Sequence, residues 1–512
     1  MAPESKTAWL DKGSRGVFWL CALLVYGYRL YYVFCVPFLY YHEDSGRYLS
    51  TALRWAQQGL FSIDYFSTPA YPVFLLGINS VASMEMLPVI QHISLITCIV
   101  FLGYLVSVLF SGPQARIAAG LFVLAAGFMP SQFIGPSSIL TEGIQTQLLI
   151  LIICCFHLWL EKPSMPRSVL LAVPLAFAAL LRPVNMILFM PALLVMILYL
   201  GRKSLVPLAV LVLTSFLLFL PWMIQNQKQY QRFALYNISS ASLVLTFGHL
   251  IEMQSPQYAQ YKRAITPDFL AYMEKRNKMS PTEKLFAGGD LIWGDKTNIR
   301  VRITQTFHLK NAQRDKILKG LVKEGILAHP LDAARHVVSK WAFFYLYAPW
   351  RCENLYRDYS SDVPLIDIPQ IGKTQETDPS QPWTSIMDPA RQNQSYQKAK
   401  IATFLIQKLI PFFSFISTCL LWACFLLAPA LLLGSRAWLG LFVTLLILVL
   451  SATTCIMAPP LPRYYQPLTL PVLFLLCLEI LSLWSRFFRG NTQRKNGGTS
   501  QKTPLDRENT GP

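Results

Sequence analysis

Long apolar runs separated by short polar links set the pattern of this chain. Runs lie at about 16–40, 89–110, from Arg116 to about Met129, and at about 139–159. Two more flank Arg182-Pro183, and another ends near Trp222. The last three cover about 402–433, 438–457 and 466–484. Many of them reach the ~20 residues that an α-helix needs to cross hydrocarbon. A helix satisfies its own backbone hydrogen bonds, which lipid cannot do for it. The pattern therefore predicts an all-α polytopic membrane protein with about ten transmembrane helices.

Four stretches fall outside that rhythm. The segment 41–87 is a loop carrying acids and one short apolar piece. Residues 226–400 are polar, with Pro-containing turns and mixed charge, and are long enough for a small mixed domain between helices 7 and 8. Within them, 336–350 is apolar and aromatic but too short to span, which predicts an interfacial or re-entrant helix. The tail from 487 to 512 is basic and then Gly/Thr/Gln-rich, as disordered segments are. The expected division is 1–225, 226–400, 401–486 and 487–512.

Composition sharpens this reading. Of the 512 residues, 53% are hydrophobic and only 14% are charged, well below the roughly one quarter typical of soluble domains. The net charge of +18 admits nucleic acid as a partner, but the basic residues sit in short links between apolar runs. That is the positive-inside pattern, and no basic stripe interleaves with aromatics, so no nucleic-acid partner is expected. Nine of the ten cysteines lie in apolar segments and only Cys352 in the polar one, with no metal-type spacing.

Charge also sets the expected topology. The links at Arg116, Lys162/Arg167, Arg202/Lys203 and Arg436, and the tail at Arg486, Arg489, Arg494 and Lys495, would all be cytoplasmic. Ten helices starting from a cytoplasmic N-terminus satisfy each of these. Glu43/Asp44, Tyr71, Glu142, Arg182, residues 226–400 and Arg463-Tyr464 then share the opposite, external face.

The candidate chemistry gathers on that face. Tyr40-Tyr41-His42-Glu43-Asp44-Ser45-Gly46-Arg47-Tyr48 closes the first apolar run, and Thr68-Pro69-Ala70-Tyr71-Pro72 follows. Carboxylates are costly beside hydrocarbon, so acids at a span boundary are functional candidates. Pro136-Ser137-Ser138-Ile139-Leu140-Thr141-Glu142, Leu181-Arg182-Pro183 and Pro462-Arg463-Tyr464 complete the set. In this order the motifs resemble the GT-C superfamily of membrane glycosyltransferases, and most of all the protein O-mannosyltransferase and lipid A aminoarabinose transferase group. The likeness covers most of the first 230 residues and the last 50 or so, and leaves out the central segment. The acids read Glu-Asp here, where the mannosyltransferases have Asp-Glu.

The resemblance implies inverting transfer of a sugar from a polyprenyl-phosphate carrier, on the external face, to a hydroxyl of a lipid, a glycan or a protein. Asp44 is the favoured base, from its spacing to Tyr48, with Glu43 as the alternative. Tyr48 and Tyr71 would line the sugar pocket, and Glu142, Arg182, Arg463 and Tyr464 would bind substrate.

Each residue also has a structural explanation. Asp44 could cap a helix starting near Ser45, worth about 1 kcal/mol, and Glu43 could pair with Arg47 four residues on. Glu142 in a first helical turn gains about 0.3–1 kcal/mol from the helix dipole. Arg182 could ion-pair with Glu142, and Arg463 could be a snorkelling anchor. Arg29, fifteen residues before Asp44, would lie roughly 22 Å away along a straight helix, and reads as a buried structural charge.

No cofactor is assigned, and a divalent metal held by the acids is left open. The rival functions are a transporter or flippase of lipid-linked sugars, expected to show related halves and broken mid-membrane helices, and a non-catalytic assembly subunit. A bacterial inner membrane with the site facing the periplasm is the expected setting, with the endoplasmic reticulum as the alternative.

Overall fold

The computed structural model describes residues 3–35, 43–58, 68–82, 84–110, 112–236, 239–293, 298–361, 404, 408–413, 415, 419, 437–457 and 464–496. Among these the regular elements are all helical: α1 (Pro3–Cys35), α2 (Glu43–Gln58), α3 (Ala70–Val81), α4 (Leu87–Leu109), α5 (Pro113–Phe128), α6 (Ser131–Ile134), α7 (Thr141–Glu161), α8 (Met165–Leu181), α9 (Phe189–Leu200) and α10 (Leu205–Tyr230). They continue with α11 (Ser239–Phe247), α12 (Ala259–Asn277), α13 (Pro281–Lys284), α14 (Gly289–Trp293), α15 (Ile299–Phe307), α16 (Asn311–Ala328), α17 (Pro330–Ser361), α18 (Ala437–Met457) and α19 (Gln466–Asn496).

Seven stretches among the described residues are long and apolar enough to cross a membrane: Lys12–Cys35, Leu87–Leu109, Thr141–Glu161, Pro183–Leu200, Leu205–Tyr230, Ala437–Met457 and Gln466–Ser485. Two expected spans appear as the shorter apolar helices α5 and α8. Most of the expected span at 402–433 lies outside the described residues.

Helices α1, α4, α5, α7, α18 and α19 share one apolar core, with Val25, Ile99, Val123, Ile153, Phe442 and Leu475 buried within it. Glycine lets α1 and α5 approach closely. A Cβ on Gly120 would sit 3.2 Å from the Cys21 sulfur, and one on Gly127 would collide with Val25. Small residues at such a crossing allow backbone contact, the usual source of attraction between helices in lipid. The outward faces are apolar too: Leu20, Leu23 and Phe34 on α1 and Leu213 and Leu217 on α10 are all exposed. Such a surface fits acyl chains rather than water.

The chain runs up and down through this core. At one end the Trp159 indole donates to the Ser168 hydroxyl at 3.1 Å, joining the end of α7 to the start of α8. There the Tyr199 hydroxyl donates to the Leu160 carbonyl, and its ring packs edge-on to Trp438. The start of α7, the end of α8 and the approach to α19 meet at the other end, where the candidate site lies.

The segment after α10 departs from expectation in several ways. Helix α10 continues to Tyr230, past the boundary expected at 225. Over its described residues the expected mixed domain is helical, with a second core formed by Ile265, Phe269, Leu291, Ile303, Leu318 and Leu321. The interfacial helix expected at 336–350 is instead the middle of the 32-residue α17. Its aromatic face packs into the bundle: the Trp341 indole donates to Ser451 of α18 at 3.1 Å, and the Tyr345 hydroxyl bonds the same Oγ. The polar residues flanking the apolar stretch are themselves good helix formers, so the helix does not stop where hydrophobicity stops. Helix α19 runs on to Asn496, into the tail expected to be disordered from 487.

Candidate functional site

Two hydroxyl bonds place the first polar segment against the bundle. Helix α2 buries Ser45, Tyr48, Ala52 and Trp55, the three-and-four spacing of one helical face. The Ser45 hydroxyl donates to the Ile139 carbonyl at 2.9 Å, fixing the start of α2 beside the start of α7. The Thr68 hydroxyl donates to the Leu181 carbonyl at 2.8 Å, fixing the entry to α3 at the end of α8. Segments 94 and 113 residues apart are thereby brought together.

Arg182 occupies the break between α8 and the short helical turn Pro183–Leu188. Its backbone is extended, φ −145° and ψ 129°, as a residue before proline prefers. One guanidinium nitrogen lies 3.1 Å from Glu142 Oε1 and donates to Gln145 Oε1 at 3.1 Å. The Gln145 amide donates to Asn185 Oδ1 at 2.7 Å, and the Asn185 amide donates to the Ala178 carbonyl at 2.9 Å. The guanidinium also stacks 4.7 Å above the Tyr464 ring. The ion pair expected for Arg182 and Glu142 is thus present, and Tyr464 joins it.

The second half of the cluster stands on α2 and α3. The Tyr48 and Tyr71 rings pack edge to face at 5.0 Å, both buried. Burial raises the Tyr48 hydroxyl above its ordinary pKa, with Arg47 and Arg182 opposing and Asp44 and Glu142 reinforcing that shift. Tyr71 is held well above its ordinary value by burial, then by Tyr48 and Glu142. Tyr48 therefore lies within electrostatic reach of both acids and both arginines.

Asp44 does not cap α2, because the helix already begins at Glu43. It lies in the first turn, where a carboxylate is favoured by the helix dipole. Arg47 pairs with Asp44 at 3.3 Å, and the pairing expected with Glu43 falls on a side chain outside the described residues. The Asp44 side chain keeps 35% of its surface exposed, so its carboxylate can be reached from outside. The side chain of Glu43 and the whole of Arg463 lie outside the described residues.

Arg29 is fully buried, as expected. It donates to the carbonyls of Gly127 at 3.0 Å and Gln132 at 2.9 Å, and a nitrogen lies 3.3 Å from His92 Nδ1. Arginine only donates, so Nδ1 accepts and the ring proton sits on Nε2, 3.0 Å from the Ser137 hydroxyl. Ser137 stands two residues before Ile139, the anchor of α2.

Sequence reasoning missed Gln145 and Asn185. The available signal was the run of polar residues Thr141, Glu142, Gln145 and Thr146 opening an otherwise apolar helix. Among the described residues, no three His, Cys, Asp or Glu side chains converge as a metal site would require.

No protein-family model matches the chain, and comparison with curated proteins and with solved structures finds no match.

Proposed function

We propose that this chain is an integral-membrane glycosyltransferase. It would move a sugar from a polyprenyl-phosphate carrier to a hydroxyl on a lipid, glycan or protein acceptor, with inversion at the anomeric carbon. The supporting observation is the convergence of Asp44, Tyr48, Tyr71, Glu142, Arg182 and Tyr464 from separate segments onto one end of the bundle. A scaffold has no need to gather a partly exposed carboxylate, buried tyrosines and an arginine at a helix break in one place.

In this reading Asp44 takes the proton of the acceptor hydroxyl as its oxygen bonds to the anomeric carbon. The bond from that carbon to the carrier phosphate breaks, and the phosphate leaves with the bonding electrons. Arg182, joined by Arg463 next to Tyr464, stabilises that departing charge. Glu142 and Gln145 orient Arg182, and Tyr48 and Tyr71 wall the sugar site. The site faces the periplasm of a bacterial inner membrane, and the lipid donor enters sideways between helices.

The test is transfer from a radiolabelled polyprenyl-phosphate sugar in membranes, comparing wild type with Asp44→Asn at matched expression. Removing a general base is expected to cost about 10²–10⁴-fold in rate. Equal transfer by both proteins would remove Asp44 from the mechanism and make Glu43 the next base to test. Movement of the lipid-linked sugar across the bilayer without transfer would favour the flippase instead.

A further inference from the structure

A second polar cluster lies where the segment after α10 meets the bundle. Lys340, in the middle of α17, is fully buried. Its ammonium donates to the Thr246 hydroxyl at 3.0 Å, and that hydroxyl donates to the Ile456 carbonyl at 2.6 Å, in the last turn of α18. His336 stands one turn before Lys340, and its ring centre lies 4.6 Å from that of His249. Arg276 of α12 acts electrostatically on both rings, and its Nε is buried with no hydrogen-bond partner.

The electrostatics are one-sided. Burial pushes His249 down to about 3 and His336 down to about 4, and the charged groups that add to this, Arg276 and Lys340, are cations. Burial also lowers Lys340 to about 8. None of the four pairs with a carboxylate among the described residues. The acid nearest in the chain of contacts is Asp290, which acts on Tyr272, the hydrogen-bond partner of Arg276, and is itself held by Lys275 at 2.7 Å.

Buried cations are usually paired, because taking an unpaired charge out of water is costly. This cluster supplies an ammonium with one bond, a guanidinium with an orphan N–H and two imidazoles, and no carboxylate pairs with them among the described residues. That donor set complements tetrahedral phosphate oxygens. Through Thr246 and the Ile456 carbonyl it sits beside the end of the candidate span Ala437–Met457.

We propose that Arg276, His249, His336 and Lys340 form a binding site for a phosphoryl group. The site uses residues separate from the Asp44–Arg182 cluster and does not depend on the transferase reading. The two are nonetheless linked. Phe344, one turn after Lys340, packs its ring 5.7 Å from Tyr465, which follows the Tyr464 that lies beneath Arg182.

The experiment uses the full chain, purified in detergent and stripped of lipid, with thermal unfolding followed by tryptophan fluorescence. Inorganic phosphate and, separately, phosphatidic acid in mixed micelles are added, against chloride and phosphatidylcholine controls. A ligand about tenfold above its Kd is expected to raise the wild-type Tm by about 1–2 °C. A response to inorganic phosphate marks a soluble phosphate site, and a response to phosphatidic acid alone marks a headgroup site.

Lys340→Met should lose the response while its own ligand-free Tm is unchanged or higher, because a buried unpaired charge has gone. Arg276→Gln, at a partly exposed position, should weaken the response without loss of folding. No rise with either ligand in wild type would overturn the proposal. So would an equal rise in wild type and both variants.

Discussion

The pairing of Glu142 with Arg182 can be tested by a double-mutant cycle. The two side chains keep only 4% and 19% of their surface, and their charged atoms are 3.1 Å apart. Charges at about 4 Å attract by about 4 kcal/mol at an effective dielectric constant of 20. Arg182→Met leaves the deeper partner, a carboxylate, buried with its charge uncompensated, which costs about 3–5 kcal/mol. Glu142→Gln keeps an oxygen that can accept from the guanidinium, so its cost should be smaller, about 2 kcal/mol. Without either charge, the double variant should lose less than the sum of the singles by about 2 kcal/mol. Unfolding in mixed micelles, titrated with a denaturing detergent, measures all three. Additivity within about 0.5 kcal/mol would refute the pairing, since independent sites add to that margin.

Other outcomes follow from the same contacts. Gly143→Ala should destabilise by about 1–3 kcal/mol, because the new Cβ would stand 2.9 Å from the Gly135 backbone and push on the first turn of α7; the same unfolding assay reads it. Ser451→Ala should cost about 1–3 kcal/mol by leaving the Trp341 indole and Tyr345 hydroxyl without their shared partner; an undiminished stability would mean that α17 is not docked on α18 as described. His249 and His336 titrate near 6.5 when unfolded but near 3 and 4 when folded, so the unfolded chain binds more protons between those values. Their contribution is fully present above pH 6.5 and is lost as pH falls from 6.5 toward 4 and then 3, by at most about 1.4 kcal/mol per pH unit per ring. Replacing both rings with Asn should flatten the fall in Tm between pH 7.5 and 5 relative to wild type, and an unchanged slope would contradict their burial as neutral rings.

Much of the architecture was legible in the residues themselves. Apolar runs of sufficient length must become helices in lipid, since no other local structure satisfies the backbone there. The motifs containing Asp44, Tyr71, Glu142, Arg182 and Tyr464 could be placed on one face because charge bias in the links sets the alternation of spans. The pairing of Arg182 with Glu142 was among the expected alternatives because a costly intramembrane charge seeks its opposite.

The remainder depended on contacts between distant segments. That Arg47 meets Asp44 follows from where α2 begins, and helix starts are decided by packing as much as by caps. Ser45 and Thr68 became anchors only because the carbonyls of Ile139 and Leu181 stand opposite them. The fate of 336–350 was set by Ser451 and the bundle surface, which turned an apparently interfacial segment into part of a long helix docked on the bundle by one face. The cluster of His249, Arg276, His336 and Lys340 had no sequence signature beyond one four-residue spacing. Periodicity reports how one helix divides its surface between apolar and polar, so it yields the elements and their sidedness. Which polar groups meet across helices depends on crossing and register, and those arise only when the whole core packs.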